Sequence, residues 1–416
     1  MTFYIGWEYL MNRRRQTILS LLGVIMGVTF FIGIASMMTG MHSYFIEKLI
    51  DTSPHVKILD EFRSPQIQPV FKAFPESTVE LRGIKPKEEL KGIRSADAII
   101  SALSKMPGVY YSPVLQGQVF LRYGGKDIAI NLIGINPELE RTASNLERDM
   151  IEGDLNSLLT NSNGILIGKE LARKLVIRKN ATLSVISPAG LVKHMKVVGM
   201  FDTGIPEIDY SMGYAMLKKV QILQKRENRI NQINIRLKDV DSAVPLASSI
   251  EKRFGYRTES WQETFANVFE MFMVENIIMY STVGAIMLVA GFGIFNIIST
   301  SVNDKRKDIA ILKSMGFSEK DILMIFVFQG ILIGIVGTII GWILGAGLIE
   351  YFASFTLDFG EDFEMPVAFD GLPMNRSVWL YIISGLMATL SSTLSAYIPA
   401  RKAAELHPVE IIRGAA

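Results

Sequence analysis

Four stretches of this chain are apolar for longer than the core elements of an ordinary globular domain need to be. They lie at residues 17–41, 276–302, 322–349 and 378–398. Each reaches the about 20 residues of helix that cross a roughly 30 Å hydrocarbon core. Residues 42–275 have mixed polarity and suffice for a folded domain with its own core. The pattern predicts an α-helical membrane protein with four transmembrane helices and an α+β domain inserted between helices 1 and 2. Its boundaries are predicted at 1–46 (N-terminal helix and first span), 47–260 (inserted domain), 261–302 (stalk and second span), 303–321 (connecting helix) and 322–416 (last two spans and tail).

Inside the insertion the apolar spacing changes several times. Pro54, Pro65, Pro69, Pro75 and Pro86 mark an irregular opening. Residues 95–106 place Ile99, Ile100 and Leu103 on one helical face. Val119, Leu121 and Tyr123 alternate before Gly124-Gly125, and Ile128, Ile130 and Leu132 alternate after it, which predicts a hairpin. Residues 182–186 and 195–200 predict a second hairpin around Ser187–Gly190, and 168–175 and 240–254 read as helices. Trp261, Phe265, Phe269 and Phe272 recur at helical spacing just before the second span. They predict a stalk continuous with that span, or else a separate surface helix at the base of the domain.

Between the second and third spans lies a compact charged island from Asn303 to Asp308, running on to Gly316. Ile309, Leu312 and Met315 lie on one face of a short helix along the membrane surface, the form in which a membrane protein offers a handle to a cytoplasmic partner. At the N-terminus, Tyr4, Trp7, Tyr9 and Leu10 before three arginines read as an interfacial helix or an exposed terminus.

Charge orients the spans. Of 43 Lys and Arg, 31 fall in residues 41–270, and long translocated domains are largely exempt from the positive-inside bias. Among the other twelve, Arg13, Arg14 and Arg15 precede span one. Lys305, Arg306, Lys307, Lys313 and Lys320 separate spans two and three, and Arg401, Lys402 and Arg413 follow span four. Only Arg376 lies between spans three and four, amid Asp358, Glu361, Asp362, Glu364 and Asp370. Both termini and the island are expected in the cytoplasm and the insertion on the far side. The uncharged run from Gln16 to Ile46 is too long for a signal-peptide h-region, so the first span is expected to be an uncleaved anchor. With no cysteine, no disulfide supports the insertion.

Catalytic chemistry finds little support. Gly164 to Glu170 resembles a phosphate loop, yet it has three residues between its glycines where four are needed, and Glu170 replaces the magnesium-binding hydroxyl. The four histidines are scattered, and no metal site or catalytic residue is expected. Gly330, Gly334, Gly337, Gly341 and Gly345 in span three, and Gly23 and Gly27 in span one, allow close helix approach, within one subunit or at a dimer face. Phe30, Phe31, Met37, Met38, Met279 and Met287 are candidates for a cavity that takes hydrophobic cargo. Glu275 reads as an interface residue at the outer edge of span two.

The span arrangement, together with residues 304–316 and the ending from Tyr397 to Arg413, resembles the MacB/FtsX-type ABC transporter permeases. Residues 199–210 and 217–221 are most similar to the lipoprotein-releasing LolC/LolE (LolF-like) branch. The resemblance implies that Asp304, Lys305, Asp308, Ile309, Leu312, Met315 and Gly316 couple to a cytoplasmic ATPase. The family usually has Glu where this chain has Asp304 and Asp308. It also implies the partners: two copies of a LolD-like ATPase subunit that binds ATP and magnesium, a second copy of this chain or a paralogous permease, membrane lipids, a lipoprotein substrate and a periplasmic LolA-like carrier. This chain would bind no cofactor and no nucleic acid. The turn at 188–194 is shorter than the hook that engages the carrier in LolC subunits, which leaves docking there open. The implied location is the bacterial inner membrane, with the large domain in the periplasm. A MacB-like export permease and an FtsX-like mechanotransducer that activates a periplasmic hydrolase are the alternative functions.

Overall fold

The computed structural model describes residues 2–11, 14–62, 92–94, 96–355 and 372–407. The prolines at 65, 69, 75 and 86, Arg13, the acidic connection at 358–370 and the tail from Pro408 lie outside the described residues. The chain divides into two compact units, one helical and one built around a sheet.

In chain order the helices are α1 (Thr2–Met11), α2 (Arg14–Thr52), α3 (Ala96–Leu103), α4 (Pro137–Ala143), α5 (Ser157–Thr160), α6 (Lys169–Leu175), α7 (Pro206–Ser211), α8 (Leu217–Leu223), α9 (Ala243–Phe254), α10 (Trp261–Thr264), α11 (Ala266–Asp304), α12 (Arg306–Ser314), α13 (Glu319–Ala353) and α14 (Val378–Ala404). Four of them, α2, α11, α13 and α14, are long and apolar enough to cross a membrane. The four predicted spans fall within them. At 39 residues, α11 is about 58 Å long at 1.5 Å per residue, well beyond the hydrocarbon thickness.

The glycine row on α13 explains how these helices pack. A Cβ on Gly330 would lie 2.4 Å from the Ala396 Cβ of α14, and one on Gly341 would lie 2.7 Å from Val28 of α2. Gly334 likewise faces α14, while Gly337 and Gly345 face Val24 and Ile32 of α2. The row therefore serves packing within this chain, one end toward each neighbour. Val24, Val28, Ile32, Phe326 and Ile333 form the centre of the resulting core. A capping box starts α13: Asp321 Oδ2 accepts from the Ser318 amide at 2.9 Å, and the Ser318 hydroxyl accepts from the Asp321 amide at 3.3 Å.

The sheet unit carries β1 (Val56–Leu59), β2 (Val109–Tyr123), β3 (Lys126–Ile135), β4 (Met150–Glu152), β5 (Gly164–Gly168), β6 (Thr182–Ile186), β7 (Val192–Phe201), β8 (Met212–Met216), β9 (Gln232–Leu237) and β10 (Thr258–Ser260). The strand order is β10-β1-β9-β2-β3-β8-β5-β7-β4, and β6 pairs with both β2 and β7. The second pairing of β6 closes β2-β3-β8-β5-β7-β6 into a ring. Val119, Leu121, Leu132, Ile165, Leu183, Val185 and Val197 form its core, and α6 and α8 add Leu171, Val220 and Leu223.

Both predicted hairpins form. Tyr123 pairs with Lys126 across Gly124 and Gly125, whose φ values of +57° and +80° suit a turn only glycine adopts at low cost. The second hairpin starts β7 at Val192, three residues before the alternation predicted. The stretch that resembled a phosphate loop is β5, buried along its length, followed directly by α6.

The stalk differs from its predicted form. Trp261 begins the one-turn helix α10, and Phe265 leaves helical geometry at φ −106° and ψ 24°. The continuous helix starts at Ala266 and carries Phe269 and Phe272. The Ser260 hydroxyl fixes the short turn by accepting from the Glu263 amide at 3.4 Å, while Phe265 lies under the Lys57 ammonium.

Candidate coupling helix and membrane groove

The charged island makes a tight corner. Asp304 is the last residue of α11, Lys305 forms the joint and α12 follows. Lys305 bonds Asp308 at 3.0 Å and places its ammonium 5.0 Å from the Tyr9 ring of α1. Burial, reinforced by Asp308 and Glu8, pushes the Tyr9 phenol up to about 12, so this contact keeps a neutral ring beside the cation. At the far end Gly316 reverses the chain at φ +98°, with open space around its α-carbon.

The helix does not present the predicted stripe as a single face. Ile309 is 1% exposed and belongs to the core of the helical unit, and Leu312 packs against that core. Met315 is 70% exposed, and Ile311, four residues earlier, is 54% exposed. Ile309 and Leu312 therefore seat the helix, while Ile311 and Met315 form an apolar pair left exposed on its outer side. The i, i+4 spacing of Ile311 and Met315 was available in the sequence, but the competing 309–312–315 spacing hid it.

None of the six residues proposed for a cargo cavity lines the larger of two grooves beside α11, and Met287 borders the smaller one. Phe31, Met279 and Met287 are buried among the helices, with Met287 against Gly27, while Met37 and Met38 are half-buried and Phe30 is exposed. The larger groove runs between α2 and α11, with a volume of about 780 Å³. Gly23 and Met26 line it from α2, and Val289, Gly293, Asn296 and Thr300 from α11. Spacings of four, three and four put the α11 residues on one helical face. That spacing, with a small residue at its centre, was the legible signal. A second groove of about 490 Å³ lies between α11 and α14 beside Leu288, Phe292 and Leu394. Helix α11 thus leaves apolar surface open on two sides. Near the start of α11, Glu275 accepts a 2.9 Å hydrogen bond from His42 of α2, whose ring stacks on Phe272 at 3.9 Å.

In the sheet unit, the segment singled out at 199–210 folds around a buried carboxylate. Asp209 accepts from the Thr203 amide at 3.0 Å and from its hydroxyl at 2.8 Å. Lys169 bonds Asp202 at 2.8 Å. Burial pushes the Asp209 carboxyl up to about 7 against the pull of those Thr203 bonds, with Asp202 adding to the rise. Burial also opposes charge on Asp202, but the Lys169 hydrogen bond, the Gly204 amide and the charge of Lys169 together outweigh it and hold that carboxyl below its ordinary range. Gln221 donates to the Arg229 carbonyl at 2.9 Å. These contacts hold a fold together and form no catalytic constellation. Among the described residues, no group of three or more His, Cys, Asp or Glu converges as a metal site would require.

Known families match both units. Residues 17–253 match the MacB-like periplasmic core domain, and residues 280–408 match the FtsX-like permease C-terminal domain. The chain is 27% identical over 440 positions to the lipoprotein-releasing system transmembrane protein LolC of Xylella fastidiosa, covering 98% of each. It is 23% identical over 448 positions to the lipoprotein-releasing system transmembrane protein LolE of Haemophilus influenzae, covering 99% of this chain and 98% of that one. It is 24% identical to the macrolide export ATP-binding/permease protein MacB of Bdellovibrio bacteriovorus, over 98% of this chain and 61% of that protein.

Proposed function

Because the chain belongs to the MacB/FtsX-type ABC transporter permeases, we propose that it is the membrane subunit of a lipoprotein-releasing transporter. One observation carries this reading. Relatives named for lipoprotein release align from end to end, whereas the relative named for macrolide export aligns over 61% of its own length. The subunit sits in the inner membrane with both termini cytoplasmic and its sheet domain in the periplasm. It extracts lipoproteins from the outer leaflet and passes them to a LolA-like carrier. A separate LolD-like ATPase, in two copies, binds ATP and magnesium and supplies the driving force.

The ATPase docks on the exposed side of α12, through Ile311 and Met315 with Asp304, Lys305 and Asp308 beside them. Ile309 and Leu312 seat α12 in the helix bundle, so a push on its outer face is delivered to α11 and α13. The coupling is a population shift: ATP must favour the closed ATPase pair over the open one, and α12 transmits that difference. The groove between α2 and α11 receives acyl chains, and a second copy or a paralogue completes its open side.

The test is to purify the chain with its ATPase from native membranes and identify co-purifying molecules by mass spectrometry. Triacylated lipoprotein that leaves on ATP addition, and only when a periplasmic carrier is present, is the expected result. A peptidoglycan hydrolase or an outer-membrane channel component, without lipoprotein, would shift the assignment to mechanotransduction or export.

A further inference from the structure

The sheet unit contains a small cavity with a different chemistry from the membrane grooves. It has a volume of about 190 Å³ and lies where α8 covers the β3 and β7 side of the strand ring. Its floor is apolar: Leu132, Met195, Val220 and Leu223 are each at most 4% exposed. Its polar wall carries Lys193 of β7 and Lys219 of α8, and no carboxylate is among the lining residues. Neither lysine has an ion-pair partner among the described residues. His194 adds to the rim, with its Nδ1 3.1 Å from the Ser184 hydroxyl.

We propose that this cavity binds a small organic carboxylate, its charged end between Lys193 and Lys219 and its short apolar body on the floor made by Leu132, Met195, Val220 and Leu223. Lys193 is exposed and Lys219 half-buried at the mouth of the cavity, where a carboxylate would make charge-assisted hydrogen bonds to both ammonium groups. A bare inorganic anion would satisfy the lysines and leave the floor unfilled. A neutral apolar molecule would fill the floor and leave the lysines unpaired. The volume is below the roughly 300–1,000 Å³ typical of drug-sized sites, which restricts the ligand to a short chain or a single ring. The site is separate from the cargo groove and does not depend on the cargo being a lipoprotein.

Methyl NMR on the full chain in lipid nanodiscs, with methionine labelled at its ε-methyl carbon, tests the proposal directly. Met195 lies on the cavity floor, and its resonance is assigned by its disappearance in Met195→Leu. Hexanoate is the probe, with inorganic phosphate and 1-hexanol at matched concentration as comparisons. We expect hexanoate alone to shift the Met195 signal saturably. In Lys193→Gln/Lys219→Gln the apparent affinity falls about tenfold or more, the scale of one charge-assisted hydrogen bond. The other methionine signals report whether the double variant keeps its fold, and Lys219→Gln alone is the substitute if they move. No shift with hexanoate, an equal shift with phosphate or 1-hexanol, or undiminished affinity in the variant would each overturn the proposal.

Discussion

Lys313, near the end of the connecting helix α12, donates its ammonium to the carbonyl oxygen of Leu406 at 2.9 Å, just beyond the C-terminus of α14. The same ammonium bonds the Ala404 carbonyl, and the lysine side chain is only 10% exposed. The last carbonyls of a helix have no partner within it, and a cation there also meets the negative end of the helix dipole. One side chain thus fastens the connecting helix to the end of the fourth span.

Replacing Lys313 by Met keeps the length of the stem and removes those bonds. Hydrogen bonds to charged groups contribute about 1.5–3 kcal/mol each, so the thermal midpoint of the helical unit should fall by several degrees. Transport per ATP hydrolysed should fall further than ATPase binding does. An unchanged midpoint in a detergent melt would show that the fastening carries no load.

The two faces of α12 predict opposite outcomes for one kind of substitution. Ile311→Asp and Met315→Asp alter exposed positions and should change stability by about 0.5 kcal/mol or less while abolishing ATPase co-purification. Ile309→Asp puts a charge in the core and should unfold the helical unit. Leu312→Asp should loosen the seat, and Asp304→Ala/Asp308→Ala should uncouple hydrolysis from transport in a fold that stays intact. If Ile311→Asp retains the ATPase and Met315→Asp does as well, the docking face lies elsewhere.

Glycines on α13 should separate into two classes. A Cβ at Gly337 would lie 2.7 Å from Val24, whereas one at Gly347 would meet nothing within 4 Å. Gly337→Leu is expected to cost about 1–3 kcal/mol or more through overpacking, and Gly347→Ala to be tolerated. Comparing thermal midpoints of the two purified variants decides it, since equal effects would remove the packing role.

The Asp209 carboxyl makes a pH prediction for the sheet unit. Its folded value, about 7, lies above that of an unfolded aspartate near 4, so the native state holds the proton more tightly. The stability it contributes is fully present below about pH 4 and is lost as pH rises through 7. Asp202 works in the opposite direction at the acid end, because its carboxyl is held low beside Lys169. Hydrogen exchange across residues 199–216, corrected for intrinsic rates, should show protection falling between pH 5 and 7.5. Asp209→Asn should remove most of that fall; the same slope in the variant would assign it to another group.

The long apolar runs and the two hairpins were readable because each rests on a local signal, span length in one case and alternation around a glycine turn in the other. Strands β1, β4, β5, β8, β9 and β10 were not read. Strand β5 is buried on both faces and shows no alternation, and β10 has only three residues. The short helix between the second and third spans was readable along the chain, but which of Ile309, Ile311 and Met315 faces outward depends on where α11, α13 and α14 stand. The residues expected at a cargo cavity are set by packing for a related reason, and of the six only Met287 borders one of the two grooves beside α11. Large flexible side chains such as Met279 and Met287 fill the space between helices, and a groove remains where Gly23 and Gly293 leave it empty.

The closed ring of strands has a consequence for how such a domain can change. Strand β6 is held by β2 on its other side and β7 by β5, so the turn from Ser187 to Leu191 joins two strands already fixed by other neighbours. Gly190 turns that corner at φ +79° with nothing close to it. Residues added there extend outward without altering any strand pairing, and each doubling of such a loop costs only about 0.6 kcal/mol in closure entropy. The domain therefore carries a site where a longer projection can be grafted and a new partner recruited, while the ring that supports it keeps its register.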